Sequence, residues 1–347
     1  MKGKAAYRAA LPLLVIALGA SILLAVTIGS TKIPPQDVHK VVLYHLGLRG
    51  VGEPEGAVSD VVWLIRLPRL ILAAGVGAAL SVSGLVMQAV VRNPLADPYV
   101  LGVSSGSYLG AVLAILLGIG GAFGGNAAGV MAFIGAFAVS LSVAALASIG
   151  GRSSTVKLLL AGMAMSAVCS AFSNFIVYRT RDASSVQAVL HWMMGSLGAA
   201  QWRTNAAILF VVTLCTLFFY SQFRSLNLML LGDEAAATLG TDARRRRIVY
   251  LLISALMVGF AVFSAGMIGF VGLVVPHAMR MLSGSDHRRL IPLCALSGAI
   301  FLVWADVLCR VVIPGAELPI GILTAMIGAP CFVYLMARRK YGFGGDA

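Results

Sequence analysis

Apolar runs of about 20 residues recur along this chain, and each is close to the length that an α-helix needs to cross a bilayer. Hydrophobic residues make up 59% of the sequence and charged residues only 11%, which is about half the charged fraction of a typical soluble domain. The mean hydropathy is +0.94, and the short alternating segments typical of a membrane β-barrel are missing from the sequence. These features exclude a soluble enzyme and predict an all-α fold, a polytopic transmembrane helical bundle.

The positions of the runs predict about ten spans within a single domain that covers residues 1–347. Two amphipathic pieces, at 37–48 and 186–197, are expected to lie along the outer side of the bundle instead of crossing it. Small residues crowd the second run, so that its neighbours can approach closely. The expected spans are 11–29, 68–91, 99–117, 127–149, 158–178, 204–219, 248–266, a short piece at 268–282, 290–311 and 318–336.

Basic residues are distributed unevenly between the two sides that this topology defines. With the N-terminus inside, 17 of the 26 lysines and arginines fall in inner loops and ends, and 9 fall outside. This bias predicts that both termini are cytoplasmic. The net charge of +13 therefore indicates orientation and contact with membrane lipid, not binding of nucleic acid. The densest basic run, 244–247, is expected to anchor the chain beside anionic headgroups.

The long polar interruption in the second half of the chain is the stretch 224–247, which the topology places in the cytoplasm. It contains a glycine, two acids and three alanines in succession, a pattern that favours the start of a short helix. A later glycine suits the left-handed position just past a helix end. Apolar leucines flank this helix outside the bilayer, which is typical of a segment that docks in a groove of another protein. The alternative is a loop that rests on its own bundle. The residues concerned are Leu231, Gly232, Asp233, Glu234, Ala235, Ala236, Leu239 and Gly240.

Arginines gather at the outer ends of two predicted spans. Arg66 and Arg69 lie three residues apart and so share a helix face, and Arg310 ends another span on the same side. A cluster of guanidinium groups on an outer rim suits the carboxylates of a docking partner, whereas the alternative is ordinary snorkelling of arginine at a helix end. Asp306, an acid within a span, is one turn from Arg310, so the two are expected to form an ion pair.

Short polar turns mark the inner ends of two spans. Asn93 and Leu95 belong to one of them, and Thr155 belongs to the other. Such residues either narrow a pathway at its cytoplasmic mouth or simply cap helices, and the pattern leaves both interpretations open.

On the outer side, Arg179, Arg181 and His191 accompany an amphipathic segment. They are candidates for contact with haem or an anionic chelate along a substrate pathway. The alternative is that this segment is part of an interfacial aromatic belt.

The sequence contains no phosphate-binding loop of the G-x-x-x-x-G-K-[ST] type, so the chain is not expected to hydrolyse ATP itself. Nor does it contain a catalytic triad or a metal-ligand cluster, and its five cysteines are scattered singly through apolar runs. We therefore predict no catalytic residue, no metal site and no bound cofactor. A transport protein fits best, and an ion-coupled secondary carrier or channel for a small solute is an alternative.

Several motifs together resemble the FecCD-like family, the permease subunits of type II ABC importers for iron–siderophore complexes, haem and vitamin B12. The resemblance covers nearly the whole chain. The matching stretches are RLPR at 66–69, GAALSVSGLVMQAVVRNPLADPYVLGVSSG at 77–106, LLLAG at 158–162, WMMGSL at 192–197, LGDEAAATLG at 231–240, GFVGLVVPHAMRML at 269–282, DHRRLIP at 286–292 and ELPIGILTAMIGAP at 317–330.

The resemblance implies the type II importer architecture, with ten helices in each of two permease subunits in a bacterial inner membrane. It implies a second copy or a related chain as the other permease, with a homodimer expected. Two cytoplasmic ATPase subunits, which carry ATP and magnesium, would grip 232–240. A periplasmic or lipid-anchored binding protein would meet Arg66, Arg69 and Arg310 from outside.

The resemblance also assigns the cytoplasmic gate to Asn93, Leu95 and Thr155. The family's B12 permease has a second hydroxyl after the gate threonine, whereas this chain has Val156. This difference counts against vitamin B12 as the cargo, and the breadth of the family favours a ferric siderophore or haem.

Overall fold

The computed structural model describes residues 2–29, 33–45, 47, 56–149, 155–240 and 242–338, and all regular structure within these ranges is helical. The α-helices are α1 (Lys2–Thr27), α2 (Pro35–His45), α3 (Ala57–Asp60), α4 (Leu67–Val91), α5 (Val103–Leu117), α6 (Ala127–Ser148), α7 (Thr155–Arg179), α8 (Ala183–Met194), α9 (Trp202–Ser221), α10 (Phe223–Leu230), α11 (Asp233–Thr238), α12 (Ala243–Ala265), α13 (Val271–Ser283), α14 (His287–Val311) and α15 (Ile320–Arg338). A π-helical turn, Val61–Arg66, leads into α4, the 3₁₀ turn Pro98–Leu101 precedes α5, and the 3₁₀ turn Gly121–Asn126 precedes α6.

Seven helical segments of the described chain are long and apolar enough to cross a membrane, which confirms the predicted helical membrane bundle. They contain α1, α4, α6, α7, α9, α12 and α14, and shorter apolar helices occur in α5 and α15. The short piece expected at 268–282 is α13, which has 13 residues. A helix of that length rises about 20 Å, less than the roughly 30 Å of hydrocarbon, so α13 does not cross a bilayer alone.

Helix α4 is the centre of the bundle and packs against α14, α12, α13 and α9. Its apolar window is 83% buried, and two glycines explain how neighbours come so close. A Cβ on Gly77 would overlap the carbonyl oxygen of Gly298 on α14, and one on Gly84 would overlap that of Gly272 on α13. Small residues therefore set the helix spacing here, as expected where no water drives helices together.

The outer helices leave much of their apolar surface uncovered. The hydrophobic windows of α1 and α7 are only 17% buried, and α9 is 28% buried. Lipid or a further protein chain has to cover these surfaces, because an apolar face of this size is not left in water.

Helix α12 begins earlier in the chain than the sequence predicted. It begins at Ala243 instead of near 248, because the side chain of Asp242 caps its N-terminus by accepting from the backbone N–H of Arg245 at 3.1 Å. The basic run therefore forms the first turns of a helix. Arg244 and Arg245 are exposed, but Arg247 is buried, so the expected headgroup anchor is wrong for Arg247.

Candidate functional site

The polar stretch 224–247 folds into two short helices followed by the start of α12. The sequence predicted the second of them, α11, but not the eight-residue α10. Gly232 and Gly240 both have positive φ, +105° and +79°, and Gly240 thus takes the predicted left-handed position. Leu231 and Leu239 flank α11 with 64% and 60% of their surface exposed. Two large apolar side chains therefore face outward at either end of a six-residue helix.

An ion pair attaches α11 to the bundle. Nη2 of Arg247 is 2.6 Å from Oδ1 of Asp233, and Nη2 of Arg92, just past α4, is 3.9 Å from Oδ2. Ala235 is half-buried and Ala236 is completely buried, so α11 has an inner and an outer side. Glu234 lies in the first turn of α11, but its side chain falls outside the described residues. Of the acids that the sequence placed at this helix start, Asp233 serves as an anchor to α12.

Helix α10 is held by a second set of polar contacts. Asn227 donates to Oδ1 of Asp286 at 2.9 Å and accepts from the backbone N–H of His287 at 2.9 Å, at the start of α14. Gln222, just before α10, accepts from Arg246 at 2.9 Å and from the hydroxyl of Tyr250 at 3.1 Å on α12. A displacement of α10 and α11 would therefore be passed directly to α12 and α14.

A second charged cluster lies at the other end of α4. Nε of Arg69 is 2.7 Å from Oδ1 of Asp306, and its Nη1 is 2.8 Å from Glu317. Nε of Arg310 is 3.1 Å from Oδ2 of Asp306, which confirms the predicted pair. Asp306 is fully buried, whereas the side chain of Glu317 is 58% exposed. The Arg69–Asp306 pair links α4 to α14, and removal of either partner would leave a buried charge without its counterion, which is strongly destabilising.

Arg66 and Arg310 cap the C-terminus of α1, a role that the sequence did not indicate. Arg66 donates to the carbonyl of Val26 at 2.7 Å, and Arg310 donates to those of Ile28 at 2.8 Å and Ala25 at 3.3 Å. Cationic donors at a helix C-terminus satisfy carbonyls that lack partners in the helix.

The three arginines gather as predicted, but their side chains are largely buried, so the expected exposed rim is not what the structure shows. They line a cavity of about 400 Å³ together with Glu317. A docking partner would therefore meet them in this cavity and not on an exposed rim.

The candidate gate residues lie at the end of α4 and the start of α7. Oδ1 of Asn93 accepts from the backbone N–H of Leu95 at 2.9 Å, a local turn that matches the capping alternative. Thr155 is the first residue of α7, and Val156 is exposed. Residues 150–154, which directly precede Thr155, lie outside the described residues. The gate role remains a prediction.

Arg179 ends α7, Arg181 lies in the connection that follows, and His191 is on α8. All three are exposed, and Nδ1 of His191 is 3.1 Å from the carbonyl of Gln187 one turn earlier. None of them lines either of the two cavities described here. Their assignment to a substrate pathway also remains a prediction.

A larger cavity, of about 700 Å³, was not predicted from the sequence. It lies between α5, α7, α8 and the connection from α12 to α13, and its lining is rich in hydroxyl and amide groups. A usable signal was present in α7, where polar residues recur every four positions within an apolar helix and therefore share one face. The polar lining consists of Asp97, Tyr99, Ser104, Ser105, Tyr108, Ser166, Ser170 and Asn174.

Asp97 is the acidic member of this lining and lies in the loop between α4 and α5. Its Oδ1 accepts from the backbone N–H of Tyr99 at 2.8 Å. Burial raises the pKa of Asp97 to about 6, although the hydrogen bond from Tyr99 acts in the opposite direction. Among the described residues, no cluster of three His, Cys, Asp or Glu side chains could hold a metal ion.

These features define a multi-pass α-helical membrane protein. It has a polar cavity, a charged cluster at one end of α4, and the short helix α11 attached at the other end. A family model described as the FecCD transport family matches residues 14–338. The chain therefore belongs to the FecCD transport family, whose members are ABC transporter permeases. The ion-coupled carrier is not favoured by this membership.

Individual relatives support the same conclusion. The hemin transport system permease protein HmuU of Yersinia pestis is 44% identical over 282 residues, which cover 80% of this chain and 84% of that protein. The cobalamin import system permease protein BtuC of Halobacterium salinarum is 42% identical over 289 residues, with coverages of 83% and 76%. A solved structure described as a metal-chelate type ABC transporter in an inward-facing conformation superposes with a TM-score of 0.81 and 30% identity, covering 95% of this chain and 99% of that one.

Proposed function

We propose that this chain is the membrane subunit of an importer that carries a metal chelate into the cytoplasm, driven by ATPase subunits on other chains. The cargo would be a ferric siderophore or haem, with vitamin B12 less favoured. Two relatives are named for hemin and cobalamin transport, and a structural relative is described as a metal-chelate type transporter. ATP and magnesium would be bound by the ATPase subunits, and this chain would have no catalytic residue.

The single observation that carries this proposal is the construction of α11. Its flanking leucines are exposed, while Asp233 fixes the helix to α12 by an ion pair. An exposed apolar pair on a firmly attached helix is suited to a groove on a partner. Each of two ATPase subunits would grip residues 231–240 of one permease, and the two permeases would be copies of this chain.

Transport would follow from movement of this segment. When the ATPase subunits close, a displaced α11 would pull on α12 through Arg247 and on the end of α4 through Arg92. Helix α10 would pull on α14 through Asn227. These helices surround the centre of the bundle, so a rigid-body shift of them would change which end of the pathway is open. Asn93, Leu95, Thr155 and Val156 would form the cytoplasmic gate, and Arg179, Arg181 and His191 would lie beside the external entrance.

The opposite end would receive the substrate-binding protein. Helix α4 has 25 residues, which corresponds to about 37 Å, so the cluster at Arg69 and the anchor at Asp233 are separated by roughly a bilayer thickness. This separation supports docking of a periplasmic or lipid-anchored protein at the cavity lined by Arg66, Arg69 and Arg310. The permease would thus lie in a bacterial inner membrane, with both termini and the coupling segment in the cytoplasm.

Co-purification tests the ATPase contact directly. A tagged permease should bring down its ATPase in near-equal amount, and replacement of both Leu231 and Leu239 by Ser should reduce the recovered ATPase about tenfold or more. Leu117→Ser, which removes an exposed leucine from the other end of the bundle, is the matched control. Equal recovery of the ATPase with the double variant would contradict the assigned contact.

A further inference from the structure

The 700 Å³ cavity has a chemical character that bears on the cargo. Three side chains on α7, those of Ser166, Ser170 and Asn174, project into it at intervals of four residues. They have no hydrogen-bond partner within the described part of the chain. Ser166 lies close to Gly102, at the end of the 3₁₀ turn before α5. Helix α7 therefore offers a row of unused hydrogen-bonding groups along one wall.

The spacing of four residues continues beyond the cavity lining to Tyr178, which is 90% exposed. Met193, Met267 and Phe270 also line the cavity and supply apolar and polarisable surface. A bound molecule would thus meet both hydrogen-bonding groups and sulfur- and ring-bearing side chains, a combination usual for small-molecule sites.

Charge is the feature that discriminates between cargoes. Among the described residues that line the cavity, Asp97 is the only charged one, and it is an acid. Arg179 and Arg181 lie past the end of the row and do not line the cavity. An anion there would gain no cationic partner from these lining residues, and the carboxylate of Asp97 would repel it.

We propose that this cavity selects an uncharged metal chelate that carries many amide or hydroxamate groups. This inference rests on the proposed import function and re-ranks its cargoes: the lining of the cavity favours a corrinoid over haem, whereas Val156 counts against vitamin B12. Ser166, Ser170 and Asn174 would donate hydrogen bonds to carbonyl and hydroxamate oxygens of the chelate. A ferric trihydroxamate is neutral because three singly charged hydroxamates balance Fe³⁺, and an amide-rich corrinoid offers the same hydrogen-bonding chemistry. A ferric tricatecholate carries three negative charges and haem carries two carboxylates, so both are disfavoured.

The test compares four probes on one complex. The permease bound to its ATPase is placed in nanodiscs without the binding protein, so that selection by that protein plays no part. Affinity is measured for a neutral ferric trihydroxamate, cyanocobalamin, a ferric tricatecholate and haem. We expect at least one of the two neutral chelates to bind about tenfold or more tightly than either anion. Whichever neutral chelate binds more tightly shows whether the cavity prefers a hydroxamate siderophore or a corrinoid.

Variants assign the selectivity to the row on α7. Asn174→Leu should weaken the preferred neutral chelate about tenfold, as expected for one lost hydrogen bond, and Ser170→Lys should raise the affinity for the tricatecholate relative to the neutral chelate. Ser142→Leu on α6, whose hydroxyl bonds within its own helix outside the cavity, should change neither. Tighter binding of the tricatecholate or haem by the unmodified complex, or no effect of Asn174→Leu, would overturn the inference.

Uptake by the complete importer distinguishes a failure of the neutral-cargo assignment from a failure of the import function. If proteoliposomes with ATPase and binding protein import an anionic chelate in preference to both neutral ones, the import function holds and the neutral-cargo inference fails. If ATP drives uptake of none of the four probes, the proposed function itself fails, and the inference with it.

Discussion

Arg247 is fully buried at the start of α12 and forms a 2.6 Å ion pair with Asp233 at the start of α11. The basic run 244–247 therefore does more than face the membrane surface, because Arg247 holds α11 in place. Asp233 remains 40% exposed, so the pair lies at the boundary between the bundle and the surface that a partner would cover.

Loss of the Asp233 carboxylate should loosen α11. In Asp233→Asn, the buried guanidinium of Arg247 loses its 2.6 Å ion pair, and we expect a loss of about 1–3 kcal/mol, less than for a fully buried pair because Asp233 is partly exposed. In the assembled importer, the amount of cargo moved per ATP should fall. Thermal unfolding and a coupled ATPase and uptake assay measure the two effects. Asp60→Asn, at an exposed acid on α3, is the control, and identical coupling in both variants would exclude the role given to this pair.

The Arg69–Asp306–Arg310 cluster should make a larger contribution to stability. Asp306→Asn leaves two largely buried guanidinium groups without their shared carboxylate, and we expect a loss of about 3–5 kcal/mol. Glu317→Gln removes a carboxylate that is mostly exposed and should cost about 1 kcal/mol or less. Thermal unfolding in detergent compares the two, and equal midpoints would show that burial of Asp306 has no energetic consequence.

The close approach of α4 and α13 should not tolerate even one methyl group. Gly84→Ala places a Cβ against the backbone of Gly272, and forced separation of packed helices typically costs about 1–3 kcal/mol or more. Gly19→Ala on α1, where nothing lies within 4 Å of the added atom, should fold normally. The yield and thermal midpoint of the two purified variants are compared. A Gly84→Ala protein with the yield and midpoint of the unmodified protein would contradict this packing.

The pH dependence of stability should carry the signature of Asp97. Its pKa is raised from 3.8 in the unfolded chain to about 6 in the folded one, so between these values the folded state holds a proton that the unfolded state has lost. The free energy of unfolding should therefore fall as pH rises from about 4 to about 6, by up to roughly 3 kcal/mol, and then level off.

Asp97→Asn removes this titration while retaining an oxygen that can accept from Tyr99. The variant should gain stability relative to the unmodified protein on going from pH 4.5 to pH 7. A difference in thermal midpoint that does not change across this interval would contradict the raised pKa.

The sequence predicted those parts of the fold that depend on length and hydropathy. Most apolar runs became helices within a few residues of the expected bounds, because a lipid-facing backbone has to satisfy its hydrogen bonds within the helix. Gly240 ends α11 as expected, since its left-handed conformation is a local property. Helix α10 was missed because it is short and polar on one side, and it is held by Asn227 and the start of α14, contacts between residues distant in sequence.

The sites were predicted less completely for a related reason. An exposed and a buried arginine look the same in sequence, and only the placement of Asp233 decides that Arg247 is a buried partner. The Asp306–Arg310 pair was predictable because its partners lie one helical turn apart. The role of Arg66 at the end of α1 likewise depends on two helices meeting in space. In contrast, the polar row from Ser166 to Asn174 was visible in the sequence, and its four-residue spacing within an apolar helix would have indicated the cavity wall.

ATP-driven uptake is the measurement that tests the central claim most directly. The permease is reconstituted into vesicles with its ATPase and binding protein, and entry of a labelled ferric chelate is recorded with ATP, without ATP, and with an imposed proton or sodium gradient. The account predicts uptake that requires ATP and the ATPase subunit and that is reduced in Asp233→Asn. Uptake by the permease alone, driven by an ion gradient without ATP, would contradict it.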